Sequence, residues 1–121
     1  MLSIRGTVER GCSHFSQRMR TYPDSFLSAT GERLYEGTIN VRVAVELEIN
    51  EHFRVPDPAD ATQVLKFEVC RINGVWAYRI RPSLKGNERI GGHGDDVIEI
   101  ASATFIPGAT EGSGVTLEFF R

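Results

Sequence analysis

Two runs of alternating apolar residues meet at Asn73-Gly74, and this junction constrains the fold more than any other stretch of the chain. Leu65-Phe67-Val69 precedes it and Trp76-Tyr78-Ile80 follows it, each with the period of two that belongs to a strand. Asn-Gly is the preferred pair for a two-residue type I′ turn, because both central positions need positive φ. A β-hairpin is expected, with Trp76 and Tyr78 on one face and packed in the core. The alternation recurs in Leu2-Ile4 with Val8, over residues 38–49, in Val97-Ile98-Glu99-Ile100-Ala101, and in Val115, Leu117 and Phe119 after the turn-rich Glu111-Gly112-Ser113-Gly114.

Helical signal is confined to one short segment, Pro23 to Thr30. Pro23 suits a first helical position, Asp24 favours the positive end, and Gly31 is a natural stop. Glu51 to Thr62, with Pro56, Asp57, Pro58 and Asp60, reads as an irregular loop. Pro82 to Asp96, with Gly86, Gly91, Gly92 and Gly94, reads as a second long loop of the kind that often carries function. About six strands and one short helix in 121 residues predict a mainly β fold, a single domain over 1–121. A small six-stranded β-barrel is the expected architecture, because closure by a last strand near the C-terminus removes exposed edges.

The formal net charge is −2, with arginines scattered from Arg5 to Arg20 and from Arg71 to Arg89. That balance gives no general attraction to nucleic acid. Most of these side chains read as a solvated polar face, while local clusters can still hold a phosphate or a carboxylate. No apolar run approaches the roughly 20 residues that span a bilayer, and Met1 to Arg5 carries no continuous apolar leader, so a soluble, cytoplasmic protein is expected. Small-molecule ligands, rather than nucleic acid or membrane, are the expected partners, and the oligomeric state is left open. Cys12 and Cys70 lie far apart without metal-ligand spacing and are expected to be reduced and non-catalytic. His14, His52 and His93 lack the spacing of a zinc site.

The chemistry-bearing stretch is Glu36-Gly37-Thr38-Ile39-Asn40-Val41, a glycine bend that opens directly into a strand. Residues i and i+2 of a strand share a face, so Thr38 and Asn40 present a hydroxyl and a carboxamide together. Ile39, Val41, Val43, Val45, Leu47 and Ile49 are expected to line the opposite, core-facing side. Two neutral oxygens suffice for magnesium, which completes its octahedron with water and phosphate oxygens. Ordinary turn hydrogen bonds after glycine are the plainer reading of the same residues.

On these residues the chain resembles the archaeal CTP-dependent riboflavin kinases, cradle-loop barrels that phosphorylate riboflavin to FMN. Gly6 and Val8 match the first strand, Gly11 the loop after it, Phe15 the next apolar stretch, and Tyr22 and Phe26 the helical region. Gly37-Thr38-Ile39-Asn40-Val41 corresponds to that family's Gly-Thr-Leu-Asn signature, and His93 with Asp96 to Ala101 to its late strand. The resemblance implies magnesium on Thr38 and Asn40, flavin contact by Glu99, and nucleotide contact by Thr104, Phe105, Ile106 and Pro107. Glu99 would bind the acceptor or take its proton, against the plain reading of a polar residue on an outward face. Arg10, Gly11 and Ser13 would face phosphate, and His93, among glycines beside Asp95-Asp96, is a further candidate contact or a surface-loop residue.

The first loop, Glu9-Arg10-Gly11-Cys12-Ser13-His14, holds one glycine where the family has several, and Gly91 falls where the family has a flavin-contacting threonine. Two functions follow. One is a riboflavin-kinase-like phosphotransferase using a nucleoside triphosphate such as CTP, with magnesium as cofactor and riboflavin or a related alcohol as acceptor. The other is a non-catalytic barrel that binds a nucleotide or flavin. A DNA-binding or assembly module fits the size but not the acidic balance.

Overall fold

A computed structural model describes residues 1–11, 14–84 and 94–121, with His14 described by its backbone alone. The expectations placed on Cys12, Ser13, Gly91 and His93 lie outside the described residues. Seven strands and two helices follow in the order β1 (Leu2–Glu9), α1 (His14–Thr21), α2 (Pro23–Thr30), β2 (Ile39–Val43), β3 (Phe53–Pro56), β4 (Val64–Ile72), β5 (Val75–Pro82), β6 (Val97–Ala101) and β7 (Gly114–Phe119). The strands lie in the order β3-β4-β5-β6-β2-β1-β7, and β7 pairs again with β4. The result is a mainly β protein, a closed six-stranded antiparallel barrel with two short helices.

Closure uses one edge of β4 twice. Its first half, Val64 to Phe67, pairs with β3, and its second half, Cys70 to Ile72, pairs with Leu117 to Phe119 of β7. The β4–β5 hairpin turns at Asn73 (φ 49°) and Gly74 (φ 79°), with Ile72 opposite Val75, as a type I′ turn requires. Gly6 of β1 lets β2 approach: a Cβ there would lie 2.4 Å from Val41 Cγ1 and 2.8 Å from the Arg42 carbonyl oxygen.

Two apolar clusters flank the same sheet. The barrel interior is filled by Val8, Val41, Val43, Cys70, Ile72, Ile98, Ile100, Val115, Leu117 and Phe119, among others. On the outer wall, Phe15 and Met19 of α1 and Phe26 of α2 cover Leu65, Phe67, Ile80 and Ala101. Phe53 of β3 stacks on Phe67 at 5.0 Å, and Phe26 meets Phe67 edge-on at 6.4 Å.

Four expectations need correction. The apolar run over 38–49 is a strand only from Ile39 to Val43. Beyond it no neighbouring strand remains on the β6 side among the described residues, and the chain crosses the barrel end through Val43 N–H to Asp96 O and Leu47 N–H to Asp95 O. Val45 is consequently exposed, while Leu47 still packs against the interior. Helix α1 precedes the single expected helix, marked only by Phe15 and Met19 four residues apart. The segment 51–62 contains β3, an edge strand that tolerates Pro56 at its end. Trp76 is 58% exposed because the helices reach only as far as Tyr78 and Ile80 on that face; it stacks on Phe120 at 5.2 Å, with Arg71 Cζ 5.0 Å from its ring centroid.

Helix α2 runs from Pro23 to Thr30 and stops at Gly31, whose φ of 75° lets its N–H bond to Leu27 O at 2.7 Å. Among the described residues no helix is long and apolar enough to cross a membrane.

Cys70 lies inside the barrel, and burial pushes its thiol up to about 12 from 9.0. A folded-state value above the unfolded one means the folded protein holds the proton longer, so this contribution is intact below pH 9 and is lost as pH rises toward 12. Urea denaturation of the parent and of Cys70→Ala at pH 8 and pH 11 should show a smaller alkaline loss in the variant, with a difference on the order of 1 kcal/mol per pH unit above the unfolded value. Equal losses would place the thiol in a solvated setting.

Candidate functional site

The barrel register assembles the outer wall on which the chemistry-bearing residues sit. Asn40 of β2 lies opposite Glu9 of β1 on one side and Glu99 of β6 on the other, and directly opposed residues in antiparallel strands point to the same face. Glu99 therefore projects outward from the barrel, as alternation with Ile98 and Ile100 requires, yet it is only 3% exposed. An outward-facing carboxylate kept from bulk water differs from the solvated polar residue that alternation alone suggests.

Thr38 Oγ1 donates to Asn40 Oδ1 at 3.2 Å, so the two side chains converge as the strand pattern predicts. Asn40 is buried, and its carboxamide lies on Gly11. A Cβ at Gly11 would meet Asn40 Nδ2 at 2.4 Å, so glycine there is a packing requirement. The Gly37 bend is held in a similar way. Its φ is 91°, its N–H points to Met19 Sδ at 3.0 Å, and a Cβ there would lie 2.6 Å from Ser16 Oγ of α1. Helix α1 thus clamps the turn that delivers Thr38 and Asn40.

Thr38 also lines a cleft of about 320 Å³. Its floor is Ile39 and Ile100, one wall is Tyr35 to Thr38 with Ser16, and the facing wall is Ser102, Thr104, Phe105, Ile106 and Ala109. The Tyr35 N–H bonds to Ser102 O at 2.9 Å and fixes the distance between the walls. Ser102 Oγ in turn donates to Trp76 O at 3.3 Å and accepts from Thr104 N–H at 3.0 Å. Tyr35 and Phe105, 61% and 74% exposed, stand as aromatic faces at the rim.

Of the residues selected from sequence, Thr38, Thr104, Phe105 and Ile106 share this cleft. Asn40 joins it through Thr38, and Glu99 lies beside Asn40 across the β2–β6 pair. Pro107 is outside the cleft lining, and its carbonyl accepts from Asn73 Nδ2 at 3.1 Å. Arg10 is exposed and faces Glu111 at 4.0 Å. Sequence reasoning misses Tyr35, Ser16 and Ser102; the position of Tyr35, just ahead of the Gly37 bend, is the signal that could have found it.

The charge near the site is arranged around Arg42. Glu9 binds its guanidinium through two contacts of 3.0 Å and Asp96 through one of 2.8 Å, and the hydrogen bond to Glu9, then its charge, holds Arg42 above its usual value. The donor set at Thr38 and Asn40 suits magnesium. Adjacent ligands on an octahedral ion, each about 2.1 Å from it, sit about 3 Å apart, close to the observed separation of the two oxygens. Among the described residues no group of three His, Cys, Asp or Glu side chains is placed to hold a metal. No protein-family model and no curated protein matches the chain.

The fit between Gly11 and Asn40 can be measured as a coupling. Gly11→Ala should destabilise the protein by about 1–3 kcal/mol, and the cost should shrink by at least about 0.5 kcal/mol in an Asn40→Ala background, where the clashing carboxamide is gone. Additive effects in urea denaturation would show that the two residues do not touch.

Proposed function

We propose that this protein is a riboflavin-kinase-like phosphotransferase that moves the terminal phosphoryl group of a nucleoside triphosphate, with CTP as first candidate, to a hydroxyl of riboflavin or a related alcohol. The observation that carries the reading is the pair of oxygens at Thr38 and Asn40, 3.2 Å apart at the edge of a cleft whose other wall is Thr104 to Ile106. The resemblance of Gly37-Thr38-Ile39-Asn40-Val41 to the Gly-Thr-Leu-Asn signature of the archaeal riboflavin kinases supports the same assignment.

Phosphoryl transfer asks a protein mainly for alignment and charge neutralisation. Thr38 and Asn40 would hold magnesium, which when bound neutralises the polyphosphate. Tyr35 and Phe105 offer flat apolar faces to a ring, and Ile39 and Ile100 exclude water from the cleft floor. Glu99, beside Asn40, would accept the proton released when the acceptor hydroxyl oxygen forms its bond to phosphorus and the bond to the nucleoside diphosphate breaks.

One observation favours the alternative, a barrel that binds the nucleotide or flavin without turnover. Gly11, the sole glycine of the first loop, is packed under Asn40, which commits it to the wall of the barrel and leaves Arg10 turned toward Glu111.

Purified protein incubated with riboflavin, magnesium and each nucleoside triphosphate in turn should form FMN, read by chromatography, with one donor preferred. Thr38→Ala and Asn40→Ala should each lower magnesium-dependent turnover by at least about 10-fold, the smaller loss expected even for residues that only support a metal. No FMN with any donor, but a shift of flavin fluorescence on binding, would replace the kinase by the binding barrel; neither turnover nor binding would remove both readings.

A further inference from the structure

A second cavity, of about 280 Å³, adjoins the outer cleft and lies between α1, α2 and the chain that leads to the Gly37 bend. Local chemistry sets that chain in place. Helix α2 stops at Gly31, Thr30 Oγ1 donates to Phe26 O at 2.9 Å and accepts from Glu32 N–H at 3.1 Å, and the Tyr78 hydroxyl donates to the Glu32 carboxylate. The chain then runs past the helices as Arg33 to Glu36 and is tied to the barrel by the Tyr35 N–H bond to Ser102 O. Met19, Phe26 and Leu34 form the floor of the cavity. All three belong to the apolar cluster on the outer wall, and Phe26 is braced edge-on against Phe67. The cavity is less open to solvent than the outer cleft, and it falls below the roughly 300–1,000 Å³ usual for drug-sized ligands, which limits it to a small occupant.

Its rim carries three charges. Glu36 is engaged by Arg20 at 3.2 Å. Asp24, in the first turn of α2, and Arg33 have neither a hydrogen-bond nor an ion-pair partner among the described residues, and they do not pair with each other. An apolar floor between an unpaired carboxylate and an unpaired guanidinium suits one kind of molecule. The floor calls for a hydrocarbon body, Asp24 for a cationic donor, and Arg33 for an anion with two acceptor oxygens. A fatty acid or a phosphate ester would satisfy Arg33 but set its own charge beside Asp24 and Glu36. A residue inside a peptide carries no charge at its α-nitrogen or its carbonyl and would satisfy neither group.

We propose that this cavity binds a free α-amino acid with a large apolar side chain, such as leucine, methionine or phenylalanine. The side chain rests on Met19, Phe26 and Leu34, the carboxylate meets Arg33, and the ammonium meets Asp24. Both charged residues are exposed, so the ion pairs supply orientation and the buried side chain supplies most of the affinity. The site uses none of Thr38, Asn40 and Glu99, so it stands or falls independently of the phosphotransferase reading. Tyr35 and Glu36 line both cavities, so the bound amino acid touches the wall of the outer cleft.

The test is a titration of the ¹⁵N-labelled full chain with L-leucine, L-methionine and L-phenylalanine, with glycine as control. At least one of the three should give saturable shifts of the Leu27, Leu34 and Tyr35 amides, and glycine should give none. The N-acetyl and the carboxamide derivatives of the tightest binder should each bind about 10-fold more weakly, the scale of one lost hydrogen bond to a charged group. Asp24→Asn and Arg33→Gln, at exposed positions, should leave the rest of the spectrum unchanged. Asp24→Asn should erase the difference between the amino acid and its N-acetyl derivative, and Arg33→Gln the difference between the amino acid and its carboxamide. No saturable shift with any of the three, an equal response to glycine, or retention of both differences in the variants would overturn the proposal.

Discussion

Barrel closure rests on β4 dividing one edge between two partners, β3 along its first half and β7 along its second. If β3 took the whole edge, β7 would have only β1 beside it and the sheet would stay open. Because β7 completes the ring, β1, β2 and β6 are forced into adjacency, and residues as far apart in sequence as Glu9, Asn40 and Glu99 fall into one row. Neighbouring side chains in such a row are about 5 Å apart, so Asn40 lies within reach of the residue on either side. The helices then cover part of the outer wall, and α1 presses Ser16 and Met19 on the Gly37 bend, so the same packing that builds the second apolar cluster also positions Thr38.

The wall has an uncommon division of labour for a small barrel. Its inner face, the usual place for apolar side chains, holds Glu68 and Arg79 at the end that the chain crosses after Val43, while part of its outer face is buried under helices. A polar group withdrawn from water costs free energy unless it is compensated, so Arg79, whose three guanidinium nitrogens find no hydrogen-bond partner, marks a place where folding alone would favour another residue.

Local chemistry makes much of this fold legible in the sequence itself. Asn73-Gly74 could hardly be anything but a tight hairpin, Pro23 and Gly31 bracket α2 to the residue, and Val97 to Ala101 is the observed β6. The pairing of Thr38 with Asn40 follows from strand geometry alone. What escapes depends on neighbours. Alternation after Val43 has no strand beside it among the described residues, and Phe53 and Val55 pair despite the prolines that follow them because β4 offers them an edge. In β5 both alternating sets are partly buried, so the pattern does not say which face looks into the barrel, and Trp76 stands exposed where core packing is expected. Tyr35 gains its place from a bond to Ser102, a residue nearly seventy positions away whose proximity no local pattern encodes.

The central claim is that Thr38 and Asn40 mark where a metal-bound polyphosphate docks. Titrating manganese with CTP into ¹⁵N-labelled protein tests it most directly, because the paramagnetic ion broadens amide signals steeply with proximity. The account predicts that resonances of Gly37 to Asn40 disappear first, followed by those of Thr104 to Ile106. Persistence of these signals while others vanish, or indifferent broadening at surface carboxylates, would contradict it.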